Sequence, residues 1–499
     1  MRNKFLRINR ILHFSGNLLL LLSIVFLIPL IVVFIHWEQN GDNWNTILAF
    51  VIPAIAALLL GLTLNRLFKP HGGIGMAGSM LLCSLGWVLV SAFGALPFVI
   101  GIKSNYLDAF FESVSGFTTT GITVYVGLDD MPKSILFWRA LTQLVGGIGI
   151  LSFFLMITFR GGGAHHIFGA ESHKISSRRP VPGLFNTVRI LWGIYLLFTV
   201  LSVVILFIEG MPFFDAVCHS FTALSTGGFS PHDSSIEYYG LMGHPNYKII
   251  EYTLTFIMIL GGINFLVHYR ILTGNFKALW DSIEIRYWWF FISAFTVIIM
   301  LDHHVKQGIF SIGEFEQSFR YSVFQVASVL TTTGFGTKDI GSNFFPALSK
   351  QLFLAMMVIG GCVGSTSGGI KVLRVAILNR LLLREVFKLR VSAKASTELV
   401  IDKRVVPEEE SNRVGALFFS WMVIIFIGGG ITALFSNQGV LESFSGVFSA
   451  LGNIGPCYIS IQDMIKIHPV VKITYIFGML AGRLEILPLM LMFSKKAWT

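Results

Sequence analysis

Charge is scarce in this sequence: only 13% of its 499 residues are Asp, Glu, Lys or Arg, against 54% hydrophobic, and the mean hydropathy is +0.72. A soluble chain of this length needs far more charge to cover its surface, so membrane is the class that fits. Cysteine is sparse too. Cys83, Cys218, Cys362 and Cys457 lie far apart, in or beside apolar segments, with no CxxC pair and no metal-ligand spacing, and they carry no redox signature. The motifs GxxxxGKS/T, HExxH and GxSxG are absent. No cofactor is therefore expected on this chain, and a polytopic membrane hydrolase would lack its nucleophile or metal triad.

Long apolar runs are what the sequence does have. They recur near residues 14–37, 44–67, 75–100, 134–158, 184–208, 249–272, 287–305, 345–373, 412–436 and 468–494, each able to cross about 30 Å of hydrocarbon. The first follows Arg2, Lys4, Arg7 and Arg10. Its length and the lack of a small-residue cleavage site make it a retained helix rather than a signal peptide. The net charge of +10 would suit an anionic partner, but in a polytopic chain placement matters more than the sum. The N-terminus, the loops after even-numbered spans and the C-terminus hold most of the lysines and arginines, densest from Lys371 to Arg413. The positive-inside rule puts these, and both termini, on the cytoplasmic side of a cytoplasmic (inner) membrane. The basic loop at Arg384, Lys388, Arg390, Lys394, Lys403 and Arg404 either follows that rule and touches anionic lipid or docks a partner. No nucleic acid partner is expected.

Four endings of shorter apolar segments lie in register. They read Phe117-Thr-Thr-Thr-Gly121-Ile, Leu224-Ser-Thr-Gly-Gly228-Phe, Leu330-Thr-Thr-Thr-Gly334-Phe and Leu451-Gly-Asn-Ile-Gly455-Pro, their last glycines 107, 106 and 121 residues apart. Thirteen residues before those glycines stand Asp108, Asp215 and Glu442, with Tyr321 breaking the pattern in the third unit. An acid there suits the start of a helix of two to three turns, too short to span. Each unit reads as long helix, short re-entrant helix, extended glycine-containing segment, long helix. The expected fold is an all-α polytopic membrane protein with four such repeats around a pseudo-fourfold pore. The divisions are 1–70 for two extra N-terminal helices, then repeats at 71–180, 181–285, 286–404 and 405–499.

Irregular backbone at membrane depth is tolerated where it is buried in protein or lines a water-filled cavity. Glycine can turn its carbonyl to an axis and let four backbones approach. Rings of carbonyls replace a cation's hydration shell, and the negative ends of the short helices favour a cation over an anion. One such cluster could be mere helix packing; four at matched offsets point to a cation pore.

These segments and their repeat order resemble the Trk/Ktr/HKT superfamily of K⁺ uptake proteins over nearly the whole chain, and the two extra N-terminal helices resemble its TrkH/TrkG/TrkI branch. The resemblance implies K⁺ as substrate, bound at Thr120, Gly121, Gly227, Gly228, Thr333, Gly334, Ile454 and Gly455, in filter segments that also hold Thr119, Thr226, Thr332 and Asn453. Family members with serine at the first glycine tend to prefer Na⁺, so glycine at all four implies K⁺. Asn453, Ile454 and Pro456 depart from the Thr-rich pattern, and the ring is not expected to be fourfold symmetric. The resemblance also implies a homodimer seated on a cytosolic nucleotide-binding regulatory subunit of the RCK/TrkA type.

The eighth span is interrupted by a run with Gly360, Gly361, Gly364, Ser365, Thr366, Gly368 and Gly369, a poor helix interior. The helix is expected to break there, and Gly146-Gly147-Ile-Gly149, Gly261-Gly262 and Gly478 to Gly482 are milder versions in the other repeats. In the resembled family the third-repeat stretch is a loop that obstructs the pore. Arg483 sits mid-span, where a charge is costly and functional by default. It either pairs with Glu485 or, as the family implies, stands on the axis beneath the filter as part of the gate. Glu112, His219, Gln325 and Gly446 share an offset nine before the filter glycine, and Arg320 sits near the expected start of the third short helix. They suggest a polar ring, though for each a satisfied structural role is the plainer account. Glu112 and Asp108 are the candidates for coupling to H⁺ or Na⁺ if transport is symport. His165, His166 and His173 with Glu171 suit a solvated loop better than a metal site.

Overall fold

The computed structural model describes residues 2–37, 41–69, 76–149, 184–308, 311–391, 397–402, 404–495 and 498. The histidine cluster at 165–173, together with Lys394 and Lys403, lies outside the described residues. Among those described, six helices are long and apolar enough to cross a membrane: Arg7–Ile35, Trp44–Leu67, Ala77–Gly101, Asn186–Ile208, Ile283–Gln307 and Glu408–Phe435. Large apolar side chains such as Leu196, Val200, Phe207, Phe419 and Phe426 stand exposed on them. In water such faces would aggregate; against hydrocarbon they are the natural surface.

The first two helices pack through glycine. A methyl group on Gly16 would lie 2.9 Å from the Gly61 carbonyl, and one on Gly61 equally close to that of Gly16, the close approach that small residues allow in membranes. Asn65 donates to Asn17 across the same interface at 2.8 Å.

Four short helices follow the repeat: Tyr106–Phe117, Phe213–Leu224, Ile312–Leu330 and Val440–Gly452. The third corrects the expected length. It has 19 residues where the others have 12 or 13, because a capping box between Ser311 and Glu314 starts it two turns early. Its first-turn acid is therefore Glu314, and Tyr321 lies mid-helix. Asp108, Asp215 and Glu442 occupy first turns as expected.

The second long helix of each repeat stops or breaks, which the sequence signalled strongly for the third alone. In the second repeat Tyr247–Gly262 and Phe265–Leu272 meet at 104°. Lys133–Ile148 ends at Gly149, Ala347–Ile359 at Gly360, and Pro469–Arg483 gives way to Leu487–Phe493. The glycines at these breaks seat the helices on the short ones. A methyl group on Gly146 would overlap the Phe117 carbonyl, one on Gly482 that of Leu451, and one on Gly261 would come within 2.9 Å of that of Leu224. These carbonyls stand at or next to the C-terminal ends of the first, fourth and second short helices. A two-stranded hairpin, Val400–Ile401 with Arg404–Val405, was not foreseen.

Candidate functional site

All four short helices end in one backbone motif. The residue two before each ring glycine is left-handed: Thr119, Thr226, Thr332 and Asn453 have φ of 52°, 54°, 58° and 56°. The next amide reaches back five residues, Thr120 to Ser115, Gly227 to Thr222, Thr333 to Ser328 and Ile454 to Ser449, at 2.8 to 3.1 Å. This is a Schellman cap, whose left-handed position normally takes Gly or Asn. A β-branched threonine there is strained by about 1–3 kcal/mol. Asn453, which looked like a departure, is the relaxed member, and the fourth turn differs in side chain while keeping the backbone. Gly121, Gly228, Gly334 and Gly455 then adopt φ of 82°, 76°, 89° and 106°, a region closed to most L side chains.

The four turns meet in cyclic order. A methyl group on Gly121 would overlap the Gly227 carbonyl, one on Gly228 that of Thr333, and one on Gly334 that of Ile454; one on Gly455 would lie 3.0 Å from that of Thr120. All four glycines line one cleft of about 460 Å³ on the face from which the short helices enter. Thr118 and Thr120 share a hydroxyl contact of 2.7 Å, as do Thr331 and Thr333. The second and fourth turns have Gly227 and Ile454 instead, so the ring is fourfold in backbone but not in side chains.

The shared offset behind the ring holds differently bonded groups. Glu112 is fully buried and pairs with Arg139 at 2.8 Å, while accepting from Thr123 and the Val124 amide. Arg139 also donates to the Ser230 carbonyl at 3.0 Å and lies over the Phe229 ring, fastening the first turn to the second. His219 contacts the Asp215 carbonyl and Ser230 Oγ, Gln325 lines the cleft, and the space beside Gly446 is filled by the Tyr475 hydroxyl. They do not form one ring. Asp108 pairs with Lys472 at 2.5 Å, and Arg320 pairs with Glu251 and Glu316. Because removing one member of a buried pair strands the other, Arg139→Leu is expected to cost roughly 3–5 kcal/mol. The double change with Glu112→Gln should be milder, which thermal unfolding in detergent would measure.

His232, at the cleft, is held by Asp129 at 2.5 Å and Asp215 at 3.0 Å, with Tyr238 stacked on its ring. Burial alone would lower its pKa, but the hydrogen bonds to the two carboxylates raise it above the usual value. This stabilisation is complete below the ordinary histidine pKa and lost as pH climbs through the raised one. Thermal stability is expected to fall across that window, and His232→Gln to flatten the dependence.

Beneath the ring lies the glycine-rich stretch after Ile359, as an irregular loop with Gly360, Gly364 and Gly369 at positive φ. It touches three of the four turns. Thr366 Oγ1 lies 3.3 Å from Thr226 Oγ1, the Gly368 amide donates to Thr332 Oγ1 at 2.7 Å, and a methyl group on Gly368 would press on Asn453. Thr366 Oγ1 also donates to the Leu224 and Gly261 carbonyls, and Ser365 Oγ to that of Cys362. The Arg483 guanidinium donates to the carbonyls of Thr366 at 2.8 Å, Gly146 at 2.7 Å and Gly147 at 3.1 Å, tying the loop to the first repeat. The alternative partner, Glu485, forms an ion pair with Arg374 at 2.6 Å.

Sequence reading missed Arg139, Gln143, Asn264 and Glu284. Glu284 is buried and accepts from the loop's Val363 amide at 2.6 Å. The Asn264 side chain faces Gly364, and its neighbour Phe265 donates to the Gly364 carbonyl at 3.0 Å. Lone polar residues in apolar spans were the available signal.

The profile of the TrkH family, described as a cation transport protein, matches residues 49–498. The Trk system potassium uptake protein TrkH of Escherichia coli is 33% identical over 97% of this chain and 98% of its own length. TrkG of the same organism is 28% identical, also over 97% of this chain and 98% of its own length. The crystal structure of the potassium transporter TrkH from Vibrio parahaemolyticus superposes with a TM-score of 0.85 at 28% identity, covering 99% of this chain and all of the other.

Proposed function

This chain belongs to the TrkH family of cation transport proteins, and on that premise we propose that it carries K⁺ into the cell through the ring of four glycine turns. The carrying observation is the closed cyclic contact of Gly121, Gly228, Gly334 and Gly455 around one cleft. There, carbonyl oxygens replace the hydration shell of a cation, and the negative ends of four short helices point towards it. In this reading Thr119, Thr120, Gly121, Thr226, Gly227, Gly228, Thr332, Thr333, Gly334, Asn453, Ile454 and Gly455 form the selectivity filter. The loop from Gly360 to Gly369 and Arg483 form the gate below it.

The chain resides in the cytoplasmic membrane with both termini inside. It works as a homodimer with a cytosolic nucleotide-binding subunit, which docks on the basic stretch after Val372–Lys388 and, by moving it, moves the loop. Glu112 and Asp108, the carboxylates a symporter would use, are each paired with a cation, which favours an uncoupled pore.

The test is reversal potential in liposomes holding the purified chain. Expected is a potential that follows the K⁺ gradient. Dependence on an imposed H⁺ or Na⁺ gradient would favour symport, and absence of cation flux from folded protein would end the reading.

A further inference from the structure

One turn of the ring is held unlike the others. Gln143, on Lys133–Ile148 and fully buried, donates from Nε2 to the Gly227 carbonyl at 2.7 Å and accepts the Phe229 amide on Oε1 at 3.0 Å. Both ends of its amide are thus spent on the backbone flanking Gly228, across the boundary between the first and second repeats.

Its counterparts are chemically different. Gln143 stands three residues before Gly146, where the first inner helix meets its short helix; three before Gly261, Gly360 and Gly482 stand Met258, Met357 and Met479, all fully buried. A thioether has no N–H to donate. The residue preceding the ring glycine changes in step. It carries a side chain in three turns, Thr120, Thr333 and Ile454, and is glycine only at 227. A Cβ there would fall 2.5 Å from Gln143 Oε1 and overlap its Cδ. Gly227, which broke the Thr-Thr-Thr-Gly pattern, is the space that the Gln143 amide occupies.

We propose that Gln143 is a specificity-determining positioning residue, which sets the second carbonyl of the ring so that the ring prefers K⁺ to the smaller Na⁺. Two consequences of its hydrogen bond act in the same direction. The bond holds the Gly227 oxygen back from closing around a smaller ion, and it draws electron density from that oxygen, weakening the field a smaller ion needs. The inference rests on the filter reading above.

The test uses the full-length chain in liposomes, with K⁺ and Na⁺ as probes and their permeability ratio as readout. Gln143→Met, which installs the residue of the other three repeats, is expected to lower the K⁺/Na⁺ ratio by about two- to tenfold, the range one hydrogen bond covers. Gly227→Thr alone is expected to lose flux, its side chain meeting Gln143. The double variant, which rebuilds the pattern of the other repeats, is expected to recover K⁺ flux with the lowered ratio. An unchanged ratio in Gln143→Met, or in the double variant if the single one does not fold, overturns the proposal. Wild-type protein that passes no K⁺, or passes K⁺ and Na⁺ alike, would instead defeat the filter reading itself.

Discussion

Gly228→Ala is expected to cut K⁺ flux on the order of a hundredfold, while Gly455→Ala retains more of it. At Gly228 the added methyl group overlaps the Thr333 carbonyl of the next repeat, and φ is 76°, where an L side chain costs roughly 1–2 kcal/mol. Relief requires the Thr333 oxygen to move, and that oxygen belongs to the proposed ion site. A combined penalty of about 3 kcal/mol on ion entry is a loss on the order of a hundredfold. At Gly455 the φ of 106° is strained for an L residue as well, but the methyl group meets the Thr120 oxygen at 3.0 Å, a contact that a few tenths of an ångström of movement relieves, so the steric part of the penalty is smaller. Flux assays on the two purified variants give the ranking directly. Equal activity, or greater damage at Gly455, would show that overlap with the neighbouring turn's carbonyl does not decide the loss.

The repeat was legible because its signal was periodic: four glycines at near-constant spacing behind first-turn acids could be aligned within one chain. Legibility stopped where tertiary contacts override local pattern. Asn453 read as a flaw in a Thr-rich motif until its φ of 56° showed it to be the residue best suited to that backbone, with the threonines under strain. The third short helix was misjudged because a capping box seven residues upstream of Tyr321 sets its start, a cue outside the aligned window. Breaks in the first, second and fourth inner helices were underestimated since two glycines, adjacent at 146–147 and 261–262 and a turn apart at 478 and 482, need no break in isolation. The break follows from the carbonyls of Phe117, Leu224 and Leu451 against which those glycines press. Gln143 and Arg139 left no periodic trace at all. Each appears once, in one repeat, and reaches across to the neighbouring repeat's backbone.

Arg483→Ala is expected to raise K⁺ flux in the absence of any partner, and Arg483→Lys separates the two ways the arginine could hold the pore shut. As a charge, it opposes any cation leaving the ring. A unit positive charge about 6 Å from an ion, at an effective dielectric near 20, costs roughly 3 kcal/mol, on the order of a hundredfold in passage. As a fork, it joins the Thr366 carbonyl of the loop to the Gly146 and Gly147 carbonyls of the first repeat, and a lysine ammonium cannot span those acceptors with the same planar geometry. If charge dominates, Arg483→Lys stays closed and only Arg483→Ala leaks. If the bridge dominates, both leak, and the loop keeps its other ties, among them Thr366 Oγ1 to Leu224 and Gly261, the Gly368 amide to Thr332 and the Val363 amide to Glu284. Adding Thr366→Val then removes the first of these ties and is expected to raise flux further. A folded Arg483→Ala that conducts no better than wild type would remove both accounts, because neither barrier survives without the guanidinium.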